Sequence, residues 1–336
     1  MPKKNSDLIL FLAAASFYAL LIFFVPHAFS ELPSLLSEKI KVMIPAGVSA
    51  QRAAAMIQEA GAVESARALS RAMSDIGIDR ALKPGIYTLF RSTPVNVARQ
   101  MAKAKPEIYK FTIIPGSSCR DLAALFDEYD GGRELFEEAI NDKTNFHAAV
   151  RDHLQDDPHA RMIFLMPDTY FVAPGKNAAA DLVKMSSKLW YERIGSKIPA
   201  DTSKNIFSDT GILASLIEGE AKADDERPVL AGIFLRRLQK KMRLQSCATV
   251  IYAWDERGVK KKNLTYDDLK IASPYNTYIN KGLPPAPICI PSAASWLAAL
   301  HPAKSDYLFF FAGKNGRHVF SKSYQEHLKK QKEAGL

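Results

Sequence analysis

SLIEGEAKADDERP, Ser215 to Pro228, sets two glutamates one residue apart at the end of a segment that otherwise reads as a buried helix. A helix over residues 211–223 turns about 100° per residue, which lines up Leu213, Leu216, Ile217 and Glu220 in one row. Glu218 then lies about 200° from Glu220, so the two carboxylates cannot share a face. Glu220 falls within the apolar stripe, where a basic or hydrogen-bonding partner must offset its desolvation, and Arg236 and Arg237 are the candidates. Glu218 projects among Ala214, Ser215 and Ala221, whose small side chains leave room for a ligand. The same pattern also suits a solvated Glu218 beside a structural ion pair at Glu220, and the stretch alone does not choose.

The 336 residues, 47% hydrophobic and 24% charged, suit a folded chain with about two domains rather than a disordered one. Leu8 to Val25, LILFLAAASFYALLIFFV, is an 18-residue run without charge. As a helix it rises about 27 Å against a hydrocarbon core of roughly 30 Å. The trio Ala28-Phe29-Ser30 would suit a cleavage site, but the run is longer than the apolar region of a signal peptide, so an uncleaved anchor is expected. Lys3 and Lys4 precede it and no Lys or Arg follows until Lys39, which puts residues 1–7 in the cytoplasm and the bulk of the chain outside. The three cysteines, Cys119, Cys247 and Cys289, are too few and too scattered for a disulfide framework or a metal site. The net charge of +9 is densest in RRLQKKMR, Arg236 to Arg243, and VKKKN, Val259 to Asn263. Behind a membrane anchor these runs suit anionic lipid or an acidic cell-wall polymer, or simply solvated surface, and not nucleic acid.

One weak repeat is visible. KVMIPAGVSAQRAAAMI, from Lys41, and KFTIIPGSSCRDLAALF, from Lys110, superpose without gaps at an offset of 69 residues. Each reads as strand, Pro/Gly turn, serine cap and amphipathic helix. With KPGIYTLF and the Ser92-Thr93-Pro94 cap, residues 40–105 form a small β-α-α-β-α module. Residues 120–200 read as mainly helical, interrupted at FLMPDTYFVAPG. Beyond 205 the expected order is the two-glutamate helix and a helix over residues 227–240, then a short strand or turn at LQSCATVIY and a proline-rich loop. A helix over residues 293–300 and a hairpin of DYLFFFA with HVFSK complete it.

Metal, nucleophile, P-loop and dinucleotide signatures are missing, and His318 and His327 read as surface or strand residues. What is left is a carboxylate with amide, hydroxyl and aromatic neighbours in LQSCATVIY and ASPYNTYINKGLPPAPICIPS, a lining suited to a sugar. These strings, with ASLIEGEA, PDTY and HPAKSDYLFFFAGKNGRHVFSKSYQEH, resemble the endolytic murein transglycosylases, the MltG or YceG-like family, closely over 205–330 and more loosely over 40–200.

The resemblance implies an α+β protein: a single N-terminal transmembrane helix (8–25), a linker (26–39), a small LysM-like subdomain (40–105) and a mixed α+β catalytic domain (106–336). It implies a lyase of the bacterial inner membrane that cuts the MurNAc-GlcNAc β-1,4 bond of nascent peptidoglycan without water, leaving 1,6-anhydro-MurNAc ends and terminating strand elongation. Glu218 matches the family's catalytic glutamate and Glu220 its supporting acid. Gln245, Ser246, Thr249, Tyr275, Asn276 and Thr277 match positions expected to form the sugar-binding wall. No metal or cofactor is implied; the partners are glycan strands, membrane lipids and peptidoglycan synthases. The chain departs from the family pattern at Met162-Ile163, for a Glu-Gly pair, at Cys247 for an aspartate, at Ile290 for an asparagine and at Ser292 for a glycine. Disabling departures would leave an impaired peptidoglycan-binding or synthase-scaffolding protein as the alternative.

Overall fold

The computed structural model describes residues 38–45, 47–128, 132–199 and 202–335. The transmembrane helix expected over residues 8–25 lies outside them; among the described residues no helix is long and apolar enough to cross a membrane. The chain forms two compact units, divided between Ile108 and Tyr109.

In the first unit, β1 (Lys39–Ile44) pairs antiparallel with β2 (Gly85–Phe90), in a register that sets Val42 opposite Tyr87 and Ile44 opposite Gly85. The alternation of β1 turns Val42 and Ile44 inward. Helices α1 (Ala50–Glu59), α2 (Ala66–Asp75) and α3 (Pro94–Lys103) cover that face with Ile57, Leu69, Met73 and Val97. Ser49, Ser65 and Thr93 cap them by accepting from the backbone three residues on, and Pro94 occupies the first turn of α3. The β-α-α-β-α order is the one expected from the sequence.

The second unit is mixed. Strand β3 (Tyr109–Thr112) leads to Ser118, whose capping box starts α4 (Cys119–Ala124). After α5 (Gly132–Asn141) come several 3-10 turns. FLMPDTYFVAPG then supplies β4 (Thr169–Val172), which pairs antiparallel with β3. Helices α6 (Ala178–Arg193), α7 (Lys204–Glu220), α8 (Arg227–Gln239), α9 (Cys247–Asp255) and α10 (Ala293–Leu300) follow. The hairpin of β5 (Phe309–Ala312) and β6 (His318–Ser321), with α11 (Tyr324–Ala334), completes the unit.

Two expectations are corrected. The glutamate helix runs over Lys204–Glu220 rather than residues 211–223, beginning at the Ser203 cap and ending on the second glutamate. LQSCATVIY is not a strand or turn but the start of α9, entered through Gln245 at φ +49°. Its β-branched residues are overridden by packing, since Thr249, Val250, Tyr252 and Ala253 are all buried on the helix.

The core is built around α7. Phe164, Trp190 and Trp296 stack edge to face, with centroids 4.8 Å (Phe164 to Trp190) and 5.2 Å (Trp190 to Trp296) apart. Gly211 lets α7 approach them: a Cβ there would lie 2.5 Å from Ile163 Cδ1 and 3.1 Å from Trp296 Cη2. Met162 and Ile163, the residues that replace the family's Glu-Gly pair, are thus wholly apolar core. Ile290 is likewise buried, and its backbone bonds at 2.8 and 2.9 Å with Ser117 and Gly116 hold the turn before α4.

Candidate active site

Leu213, Leu216 and Ile217 bury the inner face of α7 and carry its last turn to a meeting point with α8, α9 and α10. Ser215, wholly buried, accepts from the Ile288 amide at 3.1 Å and so fixes the proline-rich loop against the helix. The two glutamates emerge on either side of exposed Gly219.

Glu218 is not surrounded only by small residues. Its side chain is 8% exposed, and Oε2 accepts from Arg227 Nη1 (3.2 Å), the Ser292 amide (2.9 Å), Ser292 Oγ (2.5 Å) and Ser295 Oγ (2.8 Å). Ser292 is the N-cap of α10, so this carboxylate sits where the helix dipole favours negative charge. Arg227, in the first turn of α8, also donates to Asp224 at 2.9 Å and to Ser295 Oγ at 2.6 Å. The shell therefore holds Glu218 in one orientation with a compensating cation.

Glu220 does not pair with Arg236 or Arg237. Its Oε1 accepts from Ser246 Oγ at 2.5 Å and from the Ala248 amide at 3.2 Å, both at the start of α9. Arg237 instead donates to the Leu308 and Leu244 carbonyls (2.7 and 2.6 Å), while Arg236 pairs with Asp306 at 3.1 Å. The helix row called for a partner to Glu220, and neutral donors supply it. The buried ion pair belongs to Glu218.

A groove of about 280 Å³ opens beside Gly219, with Ala248 and Ile288 on its walls and Asp121, Lys260 and Lys261 around it. A Cβ on Gly219 would lie 2.6 Å from that of Ala248, so glycine lets the helix end meet α9 closely. The basic run contributes to the groove through Lys260 and Lys261. Lys261 is committed to Asp268 at 2.9 Å, and with Thr265 it holds that carboxyl down at about 2. Burial, then the nearby Glu218 charge, pushes the Cys289 thiol up, and burial pushes Cys119 up to about 12. Neither is a thiolate nucleophile at neutral pH.

The expected sugar wall divides in two. Ser246, Thr249, Asn276 and Thr277 are buried and spend their bonds on the frame. Thr249 and Thr277 hydroxyls lie 2.9 Å apart, Thr277 Oγ1 accepts from the Ser246 amide at 3.0 Å, and Asn276 donates to the Leu269 and Ile271 carbonyls. Gln245 is exposed, and half-buried Tyr275 packs on Tyr252 with centroids 4.7 Å apart. Neither lines the groove beside Gly219, and Gln245 is the one fully exposed side chain of the six. Arg227, Ser292 and Ser295 were missed as parts of the site. The S-x-x-S spacing before an apolar helix signals the cap, but no local signal couples it to a glutamate more than seventy residues upstream.

The YceG-like family model matches residues 42–333. An endolytic murein transglycosylase of Bacillus subtilis is 32% identical over 304 residues, 86% of this chain and 83% of that protein. One from Streptococcus pneumoniae is 26% identical over 319 residues, covering 85% of this chain and 56% of that longer protein. The crystal structure of a yceG-like protein from Listeria monocytogenes superposes with a TM-score of 0.52 at 28% identity, over 88% of this chain and 99% of that one.

Proposed function

This chain belongs to the YceG-like family, and on that premise we propose that it is an endolytic murein transglycosylase, a lyase that cuts peptidoglycan glycan strands internally. The observation that carries the reading is the pair of carboxylates flanking Gly219, each anchored at the start of a different helix beside an open groove.

Glu218 is the acid and base. Ionised beside Arg227 before the strand binds, it takes up a proton with the strand and donates it to the leaving GlcNAc oxygen; the resulting carboxylate takes the proton of the muramic acid's own C6 hydroxyl as that oxygen closes on C1. The C1–O4 bond breaks, the C1–O6 bond forms, and the proton that Glu218 gave up is restored to it. Arg227 and the Ser292 amide stabilise the carboxylate that exists between the two transfers. One carboxylate suffices because the nucleophile is attached to the substrate, whereas a glycosidase using water needs a second at a set distance. A second reading exchanges the roles: among the described residues Glu220 has no cationic partner, and it lies next to Ser246, at the edge of the expected sugar wall. End-group analysis of treated strands separates the classes, since a transglycosylase leaves anhydro-muramic ends, a muramidase leaves reducing ends, and a binding or scaffolding protein leaves the strands uncut.

The finer organisation is part of the proposal. Residues 8–25 anchor the chain in the cytoplasmic membrane with the catalytic unit outside, where lipids and peptidoglycan synthases are neighbours. Residues 40–105 are a LysM-like aid to engagement; their separate core supports this division. Protease added to spheroplasts is expected to degrade the chain beyond about residue 40. Protection of that part contradicts the topology, and a mature chain starting near Glu31 contradicts the anchor.

A further inference from the structure

A second cavity, of about 480 Å³, adjoins the groove and shares Ser118 and Tyr252 with it. It differs sharply in chemistry. Around the apolar floor of Phe136 and Ile140 stand Arg120, Arg133, Glu137, Asp157, His159 and Glu256. N-acetylated sugars carry no charge, so a wall of this kind has no counterpart in the sugar backbone. The one charged part of a peptidoglycan strand is the peptide stem on its muramic acid.

The two arginines are already engaged. Arg120 donates to the Asp255 and Glu256 carbonyls and so ties the start of α4 to the end of α9. Arg133 forms a bidentate pair with Asp127 at 2.6 and 2.7 Å. Among the described residues the exposed carboxylates Glu137, Asp157 and Glu256 form no ion pair, and against these three stands the charge of Arg120, which bonds only carbonyls, so the wall carries more negative than positive charge. The charges of Asp157 and Glu256 add to burial in raising the Cys119 thiol at its wall.

We propose that this cavity is the subsite for the peptide stem of the muramic acid being cut, with a free ammonium of the stem held among Glu137, Asp157 and Glu256. The proposal rests on the transglycosylase reading. The sugar lies in the groove beside Gly219, and the stem passes over Ser118 and Tyr252 into the charged cavity.

The test uses the purified full chain and three forms of glycan: native stems, stems with their amines acetylated, and strands stripped of stems by an amidase. kcat/KM is expected to be about fivefold or more higher for native stems than for either other form, as several partly exposed charge pairs would give. Glu137→Gln combined with Glu256→Gln should erase that preference while leaving the rate on stripped strands unchanged. Equal rates of the parent on all three forms overturn the subsite, as does a double variant that slows all three alike. Calorimetry of the free stem peptide with the parent separates this proposal from the activity itself. Tighter binding with a free amine than with an acetylated one supports the subsite even where no strand is cut, and equal binding overturns it.

Discussion

Glu218→Gln is expected to abolish detectable formation of anhydro ends. Gln keeps the shape and can still accept from Ser292 and Ser295, but it has no proton to give to the leaving oxygen and no anion to recover one. Loss of general acid and base catalysis costs on the order of 10² to 10⁴-fold. Arg227 keeps Asp224 and Ser295 as partners, so the variant should fold. Its melting temperature should fall, because the change removes one member of a buried pair. Glu220→Gln is expected to slow turnover through the position of α9, and to change stability less, since its donors are a hydroxyl and an amide. A near-normal rate for Glu218→Gln contradicts the assignment. An inactive Glu220→Gln with parental stability would show that the roles are exchanged or shared.

Arg227→Met carries the largest expected loss of stability. Arg227 and Glu218 side chains are 12% and 8% exposed, and removing the cation leaves a buried carboxylate with only neutral donors. Breaking such a pair typically costs about 3 to 5 kcal/mol; the three bonds from Ser292 and Ser295 place this case near the lower end. For a unit of this size that corresponds to a melting temperature lower by about 10 °C. Adding Glu218→Gln to Arg227→Met should recover part of the loss, since it removes the uncompensated charge. Thermal unfolding of the parent, both single variants and the double variant gives the coupling. An Arg227→Met protein as stable as the parent contradicts the shell described around Glu218.

What was legible in the sequence follows from how local each signal is. The row Leu213, Leu216, Ile217 predicted the buried face of α7, and the Ser/Thr caps predicted where α1, α3 and α4 begin, because both depend on residues within one or two turns. The hairpin of β5 and β6 was legible from its turn residues. LQSCATVIY misled because Val250 and Ile251 favour a strand, while the backbone at Gln245 and burial of the helix face decide otherwise. The ion pair was attached to the wrong glutamate for a related reason. Apolar neighbours mark Glu220 as needing a partner, but the partner is set by α8, α9 and α10 arriving from other parts of the chain. Met162 and Ile163 looked like lost acid chemistry and are, in place, buried core, with Ile163 packed against Gly211.

A transglycosylase requires that the strand be cut by its own C6 hydroxyl and not by water. Cleavage of purified glycan in water enriched with heavy oxygen, followed by mass spectrometry of the new muramic ends, tests it most directly. Anhydro ends that carry none of the label are expected; new muramic ends that carry heavy oxygen at C1 would show that water is the nucleophile.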